Sequence, residues 1–320
     1  MNLDRKTYIG GSDVASILGV SPWKSEFQLY QEKIGEWEEE ISHQKEKLFA
    51  RGKRWEPVVI DMLIDELQSR GHSVQVLDRN QRYRDAEYDF IAAEIDLELL
   101  IDGEEVNGEM KTVHPFAAKD WGAENSEDFP IYYQAQVMHG LMVKPRKRAI
   151  VAALIGADDL RVHWLNRDEE IIAGIRAKEI EFWRRVQERD APEAVTHDDV
   201  SWLYKIGGNS VADATDEVME LVSKLQGIAA GFKLLEHEKE QAQIQIKKYM
   251  ADAATLLYDG KPVLTLKNNK DSVKTDWQAA YLHAKNWLRE NGLIGYANEL
   301  DYFLAENTIT TPGPRVFRLK

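Results

Sequence analysis

Residues 96–113 constrain the fold more than any other part of the chain. Leu97, Leu99, Leu100 and Ile101 lead into Asp102-Gly103, and a second extended run, 105–113, follows. Asp-Gly is a favoured pair for a two-residue hairpin turn, because both positions need positive φ. A hairpin is therefore expected here. On both sides the apolar period changes from two to that of a helix. Upstream, residues 42–70 repeat helically (Leu48, Trp55, Val58, Val59, Met62, Leu63, Leu67) and stop at Gly71. Pro57 should kink that element or open a new helix. Two short helices are read before it, one capped by Ser12 and stopped at Gly19, the other running from Ser25 to Gly35. Short strands are read at 74–77 and 90–93. Downstream come a helix at 131–143, strands at 148–155 and 160–165, and an amphipathic helix at 168–189 with Ile171, Ile172, Ile175, Ile180 and Trp183. This order implies an α/β domain with a central mixed β-sheet flanked by helices.

Residues 190–210 are richer in breakers (Pro192, Gly207, Gly208) and read as a linker. The chain is thus divided into residues 1–205 and a mainly helical C-terminal extension, 206–320. In the extension, 213–251 reads as one long helix. Val218, Leu221, Leu225, Ile228, Phe232, Leu235, Lys239, Ala242, Ile246 and Tyr249 alternate by three and four, which is a heptad seam. It packs either on this chain's own helices or on another subunit. A small hairpin around Asp259-Gly260 and a helix at 276–290 follow, and Trp277, Tyr281 and Trp287 are expected to form a small core.

Charge sharpens the division. The 320 residues carry 41 Lys+Arg and 55 Asp+Glu, a net charge of −14. Residues 206–320 hold 14 basic and 15 acidic residues, so −13 of that charge belongs to 1–205. Taken whole, such a charge argues against a nucleic-acid partner. The absence of cysteine excludes disulfides, thiolate zinc sites, iron–sulfur clusters and a cysteine nucleophile. No apolar run is long enough for a membrane span, and residues 1–11 lack a secretory h-region. No Gly-x₄-Gly-Lys-Ser/Thr loop is present, which argues against an ATP-driven motor.

Some of the acids sit where chemistry is expected. On the second hairpin strand, Glu109 and Lys111 share a face and Met110 points to the other. Asp96 begins the partner strand, and Glu56 lies on a helix that can cover the sheet. Carboxylates held together in a low-dielectric site repel one another, and a shared cation relieves this. Oxygen-only ligands suit Mg²⁺ or Mn²⁺. A neighbouring lysine can orient or help deprotonate water and stabilise developing negative charge. This is a layout for metal-dependent phosphodiester hydrolysis. A lone Glu-x-Lys on a strand is more often a solvated alternation, so the other motifs decide.

Those motifs occur in order. Gly10-Gly11-Ser12-Asp13-Val14-Ala15, Leu18-Gly19 and Ser21-Pro22-Trp23 open the chain. Arg51-Gly52-Lys53-Arg54-Trp55-Glu56-Pro57, Asp96, Glu109-Met110-Lys111 and Tyr133-Gln134-Ala135-Gln136 follow. Over roughly residues 5–190 the set resembles the YqaJ-like viral recombinase family, also called the lambda-exonuclease family, of the PD-(D/E)XK nuclease superfamily. The resemblance implies a restriction-endonuclease-like core. It makes Asp96 and Glu109 metal ligands, with the Met110 carbonyl as a further ligand. Glu56 would help hold a second ion or its waters, so two Mg²⁺ or Mn²⁺ ions are implied. Lys111 would be the catalytic lysine, and Gln134 would bond near it. Arg5, Ser12, Arg51, Lys53 and Gln136 would face DNA, Arg5 and Ser12 fitting the element that binds a 5′-phosphate.

The activity implied is 5′→3′ digestion of one strand at linear double-stranded DNA ends, leaving 3′ single strands. The setting implied is the cytoplasm of a bacterium, the protein being bacterial or phage-encoded, with no membrane role. A homo-oligomer, a trimeric ring in this family, and a single-strand annealing protein are the implied partners. An endonuclease or single-strand nuclease of the same superfamily is the alternative, and a non-catalytic DNA-binding or assembly module is another. Two departures stand out. Glu94 occupies a place where a phosphate-contacting serine can occur, and no arginine downstream of Lys111 matches the family's; His114 and Lys119 are only nearby.

Elsewhere, His139 reads as a core or surface histidine rather than a ligand. The cluster Lys144, Arg146, Lys147 and Arg148 is read as a phosphate contact. Trp23 can stack on a frayed base, whereas Trp55 is read as core. The acidic run Glu36–Glu40 should face away from DNA.

Overall fold

The computed structural model describes residues 4–37, 42–204, 211–267 and 276–307. The acidic run lies partly outside them. The described chain divides into two compact units, residues 1–204 and 205–320.

The first unit opens with a 3₁₀ turn, Arg5–Thr7, and helices α1 (Gly11–Ile17), α2 (Glu26–Lys33) and α3 (His43–Ser69). Ser25 and Ser42 cap α2 and α3 by accepting a backbone N–H three residues on. Strands β1 (Val74–Arg84), β2 (Ala92–Ile101) and β3 (Glu104–Val113) come next, then α4 (Ile131–Val143), β4 (Arg148–Ile155), β5 (Asp159–Asn166), α5 (Glu169–Glu188) and α6 (His197–Leu203). The strands form one sheet in the order β1-β2-β3-β4-β5. Only β3 and β4 pair in parallel, joined across α4; the other pairs are antiparallel. At the β2–β3 turn Asp102 and Gly103 take φ of 52° and 85°, as the hairpin reading requires.

The sheet is covered on both faces. On one side Leu63 and Leu67 of α3 pack on Leu97, Leu99, Val106, Met110 and Ile150. On the other, Val14 of α1, Leu141 of α4 and Ile172 of α5 pack on Ile95, Val151 and Ala153. Strand β4 alternates between the layers and is buried on both faces, hence its unbroken apolar run. The mixed sheet flanked by helices is the fold class that the patterning implies.

Several boundaries differ from the sequence reading. Strand β1 runs seven residues past Leu77, because the polar segment is held by cross-strand pairs rather than by apolar alternation. Arg82, for example, lies opposite Glu94, with Nε 2.7 Å from Oε2. The segments 90–93 and 96–101 belong together, Ala92 to Ile101 forming a single strand. Pro57 neither breaks nor restarts α3. Proline cannot bond the Lys53 carbonyl, and both residues are exposed, so that carbonyl can turn to water. Ser12 lies inside α1, whose N-cap is Gly10. Part of the expected linker is α6, capped by Thr196 and anchored by buried Asp199, whose Oδ1 accepts Ser25 Oγ at 2.7 Å.

In the second unit, α7 (Asp216–Met250) precedes the hairpin β6 (Thr255–Tyr258)–β7 (Lys261–Thr265), then α8 (Trp277–Glu290) and α9 (Ile294–Glu306). Helix α9 was not anticipated; Asp301 on it accepts Lys285 Nζ of α8 at 2.5 and 2.7 Å. Along α7, Val218, Leu221, Leu225, Ile228, Phe232 and Leu235 are all exposed. Trp277 and Trp287 are exposed as well, so the expected aromatic core does not form, and Tyr281 bonds Asp301 instead. Among the described residues no helix is long and apolar enough to cross a membrane.

His139 is fully buried, as its core reading requires. Its Nδ1 lies 2.6 Å from Glu179 Oε1 and its Nε2 lies 2.9 Å from the Ala92 carbonyl, tying α4 to α5 and β2. Burial alone would lower the imidazole, but Glu179 outweighs it and holds His139 above its usual value. A histidine raised on folding stabilises fully below the unfolded value of about 6.5 and loses that contribution as pH rises through the folded value. His139→Ala strands Glu179, and urea unfolding should show a loss of about 3–5 kcal/mol at pH 6 that shrinks towards alkaline pH.

Candidate active site

The site is built on an interruption of the sheet. On β1 the pairing passes from Arg79↔Leu97 to Gln81↔Ile95, skipping the position opposite Asp96, where Asn80 takes a left-handed φ of 52°. On the other side the β2–β3 ladder begins only at Leu97↔Gly108. Strand β2 thus parts from β3 at Asp96, and the Asp96 carboxylate accepts the Met110 N–H at 2.9 Å. A side chain replaces the missing ladder partner, and the same bond fixes that carboxylate beside Glu109.

Half-buried Asp96 and buried Glu109 repel each other. Burial, and next Glu109, push the Asp96 carboxyl up to about 8; Glu56 adds to this, while Lys111 and the Met110 N–H oppose it. Lys111 is the local counter-charge. Its Nζ donates to Glu109 Oε1 at 2.5 Å and to Gln136 Oε1 at 3.3 Å, and lies 4.7 Å from the Tyr133 ring centre. Gln136 Nε2 closes the triangle by donating to Glu109 Oε1 at 2.6 Å. Burial draws Lys111 down, but Glu109 and Asp96 outweigh it and hold the ammonium above its ordinary value. A Cβ on Gly11 would stand 3.2 Å from Gln136 Cγ, so glycine there lets α1 approach α4 this closely.

The N-terminal motif forms the adjoining wall. Arg5 Nη2 donates to Ser12 Oγ at 2.9 Å and to Asp13 Oδ1 at 2.8 Å. Buried Asp13 also accepts Lys33 Nζ at 2.8 Å and the Gly10 N–H at 3.0 Å. Burial would raise the Asp13 carboxyl, but Lys33 and Arg5 hold it below the usual carboxylate range. Lys33 further donates to the Arg5 and Tyr8 carbonyls at 2.7 and 2.6 Å, pinning the strand of chain that carries Arg5. A cleft of about 800 Å³ lies between this wall and the sheet, lined by Arg5, Ser12, Arg82, Asp96, Glu109 and Gln136 among others. Glu94, the departure noted above, also lines it and is paired with Arg82, which removes much of its repulsion for a phosphate.

The structure reassigns several candidates. Gln134 does not approach Lys111: its Nε2 donates to the Glu127 and Phe129 carbonyls at 3.1 and 2.6 Å and secures the loop before α4. Residues two apart on a helix point about 200° apart, so only one of the two glutamines can face Lys111, and it is Gln136. The basic cluster is largely neutralised. Lys144 and Arg146 share buried Glu98 at 3.4 and 3.2 Å, Arg146 also meets Glu105 at 2.7 Å, and Arg148 meets Glu104 at 2.9 Å. These acids stand across the hairpin, out of view of local sequence. Arg51 Nη2 reaches the Gly156 carbonyl at 3.4 Å, and Lys53 is exposed on α3. Asp13, Lys33 and Tyr133 were not singled out. Only the seven-residue spacing of Arg5 and Ser12 hinted at the network around Asp13.

Among the described residues no three Asp, Glu or His side chains converge closely enough to hold a metal ion. Glu56 is close enough to act on Asp96 through its field, as the smallest of the named influences. Asp96 and Glu109 still suit a hard divalent cation. Burial and then Glu109 drive the Asp96 carboxyl upward, and a cation would offset both.

Residues 2–147 match the family described as the YqaJ-like viral recombinase domain. Over those residues the chain is similar to that family. The uncharacterized protein YqaJ of Bacillus subtilis (strain 168) is 29% identical over 259 residues, covering 78% of this chain and 77% of its own length. That share exceeds the 204 residues of the first unit, so the likeness continues into the second. Among solved structures, an alkaline exonuclease from Laribacter hongkongensis is 15% identical with a TM-score of 0.42, covering 58% of this chain and 90% of its own. A phage-related exonuclease from Haemophilus somnus 129PT is 14% identical with a TM-score of 0.38, covering 57% and 96%.

Function and stability should oppose each other at Asp96. Asp96→Asn keeps an acceptor for the Met110 N–H and removes a carboxyl that folding forces either to hold a proton or to face Glu109 as a charge. Denaturant unfolding in chelator should show a gain on the order of 1 kcal/mol.

Proposed function

We propose that this protein is a Mg²⁺- or Mn²⁺-dependent deoxyribonuclease, a 5′→3′ exonuclease on linear double-stranded DNA that leaves 3′ single strands for recombination by annealing. The observation that carries this reading is the Asp96–Glu109–Lys111–Gln136 cluster where β2 parts from β3, with Asp96, Glu109 and Gln136 lining the cleft and Lys111 bonded to two of them.

Each residue has a physical task. Asp96 and Glu109, with the Met110 carbonyl, would hold the cation, with Glu56 acting beyond them. The cation would supply Lewis-acid stabilisation of charge on the phosphodiester. Lys111 presents a fixed ammonium beside the carboxylates, where it orients a water or a phosphate oxygen and offsets negative charge as the bond to the 3′-oxygen breaks. Gln136 holds Lys111 and Glu109 in register. Arg5 and Ser12 offer donors for a terminal phosphate on the adjoining wall, and Arg51 and Lys53 offer charge along α3.

Lys111→Ala should lower digestion of linear duplex by about 10²–10⁴-fold with an unchanged circular dichroism spectrum. Gln136→Ala should cost on the order of tenfold or more, and Gln134→Ala far less. End-labelled duplexes with and without a 5′-phosphate report polarity. Cutting of covalently closed circles would point to the endonuclease alternative instead. Normal digestion by Lys111→Ala would refute the mechanism.

We further propose a homo-oligomer, with a single-strand annealing protein as partner. The exposed heptad seam of α7 supports self-association, because a long apolar stripe in water favours a second helix. Light scattering of a Leu225→Lys/Phe232→Lys variant should show a lower mass; an unchanged mass would exclude the seam as the contact.

A further inference from the structure

We propose that the Trp23 indole is a stacking platform for the nucleobase next to the scissile phosphate, a role that rests on the nuclease reading above. Trp23 follows α1, whose first turn lies at the Arg5–Ser12 wall of the cleft. It is 65% exposed, although it is the largest kind of apolar side chain. Trp121, by contrast, is 3% exposed, and Trp55 packs against the α3 layer as the sequence reading held.

The exposed ring is nevertheless held in place. The Tyr132 ring meets it edge-on, with centroids 4.6 Å apart. Ser21 Oγ accepts the backbone N–H groups of both Trp23 and Lys24 at 3.3 Å, bracing the chain on either side of the indole. A pinned aromatic surface open to solvent loses little entropy when something stacks on it.

Its location indicates what stacks there. Tyr133 connects Trp23 to the reactive centre: its ring centre lies 6.3 Å from that of Trp23 and 4.7 Å from Lys111 Nζ. The indole is therefore within about 11 Å of the ammonium proposed to face the phosphate. A base carried by a nucleotide at that centre can span the interval. Stacking accepts any base, as a nuclease without sequence preference requires. A small group of rings, Trp23 with Tyr132 and Tyr133, beside a phosphate-handling site suits a nucleobase better than a protein partner, which needs a far larger apolar surface.

The test is a cycle between protein and substrate. It measures kcat/KM in Mg²⁺ for linear duplexes with normal ends and for duplexes whose two terminal nucleotides on each strand are abasic. Trp23→Ala should digest normal ends about 5- to 150-fold less efficiently, the range for loss of one base–aromatic stack. Abasic ends should reduce wild-type efficiency similarly, and the two losses should not multiply. Trp23→Tyr should recover most of the activity. Equal Trp23→Ala losses on both substrates, or no loss on either, would overturn the stacking role. The nuclease reading would stand in that case, provided the wild type digests normal ends. A wild type that digests neither duplex would overturn both.

Discussion

The structure turns on two carboxylates that cannot comfortably be neighbours. Asp96 and Glu109 come together because β2 parts from β3 at that point and the Asp96 carboxylate takes the orphaned Met110 N–H. That hydrogen bond makes the site an extension of the sheet, so the sheet's rigidity is transmitted to the charged groups. Burial and the neighbouring Glu109 raise the Asp96 carboxyl, and Lys111 sits against Glu109 as the counter-charge. Gln136 on α4 and Gly11 on α1 follow from the same need, one holding the lysine and the other letting the helices close in.

Around this centre the cations are already allocated. Arg5 and Lys33 share Asp13, Arg82 faces Glu94, and Lys144 and Arg146 converge on Glu98. The net charge of −14 says little about the local field, because that field depends on which charges are paired and where the excess acids stand. A cleft can suit a phosphate while the body that carries it is acidic. Exposed pairs of this kind contribute little stability, whereas the buried Asp13–Lys33 pair and the His139–Glu179 pair are costly to break one-sidedly.

The site was legible where chemistry and spacing coincide. Strand alternation beside the Asp-Gly turn puts Glu109 and Lys111 on one face near Asp96, and the ordered motifs of the family resemblance marked them as a site. The choice between Gln134 and Gln136 was not legible, since both lie on one short apolar helix and its rotation is set by packing against the sheet. The basic cluster misled because its partners, Glu98, Glu104 and Glu105, lie dozens of residues away. Strand β1 was read short for a related reason: its polar half is stabilised by cross-strand pairs, which leave no apolar period. Helix α6 was hidden in breaker-rich sequence and is held by Asp199 bonding across to Ser25.

Local sequence by itself determined most of the elements, their order and the hairpin that carries the acids. Period, capping residues and turn pairs act within a few residues and need no distant partner. Tertiary structure alone decided where β2 breaks, which glutamine meets Lys111, which cations are spent and which tryptophan remains in water. Each of those depends on groups brought together from separate elements, where packing and electrostatics override local preference.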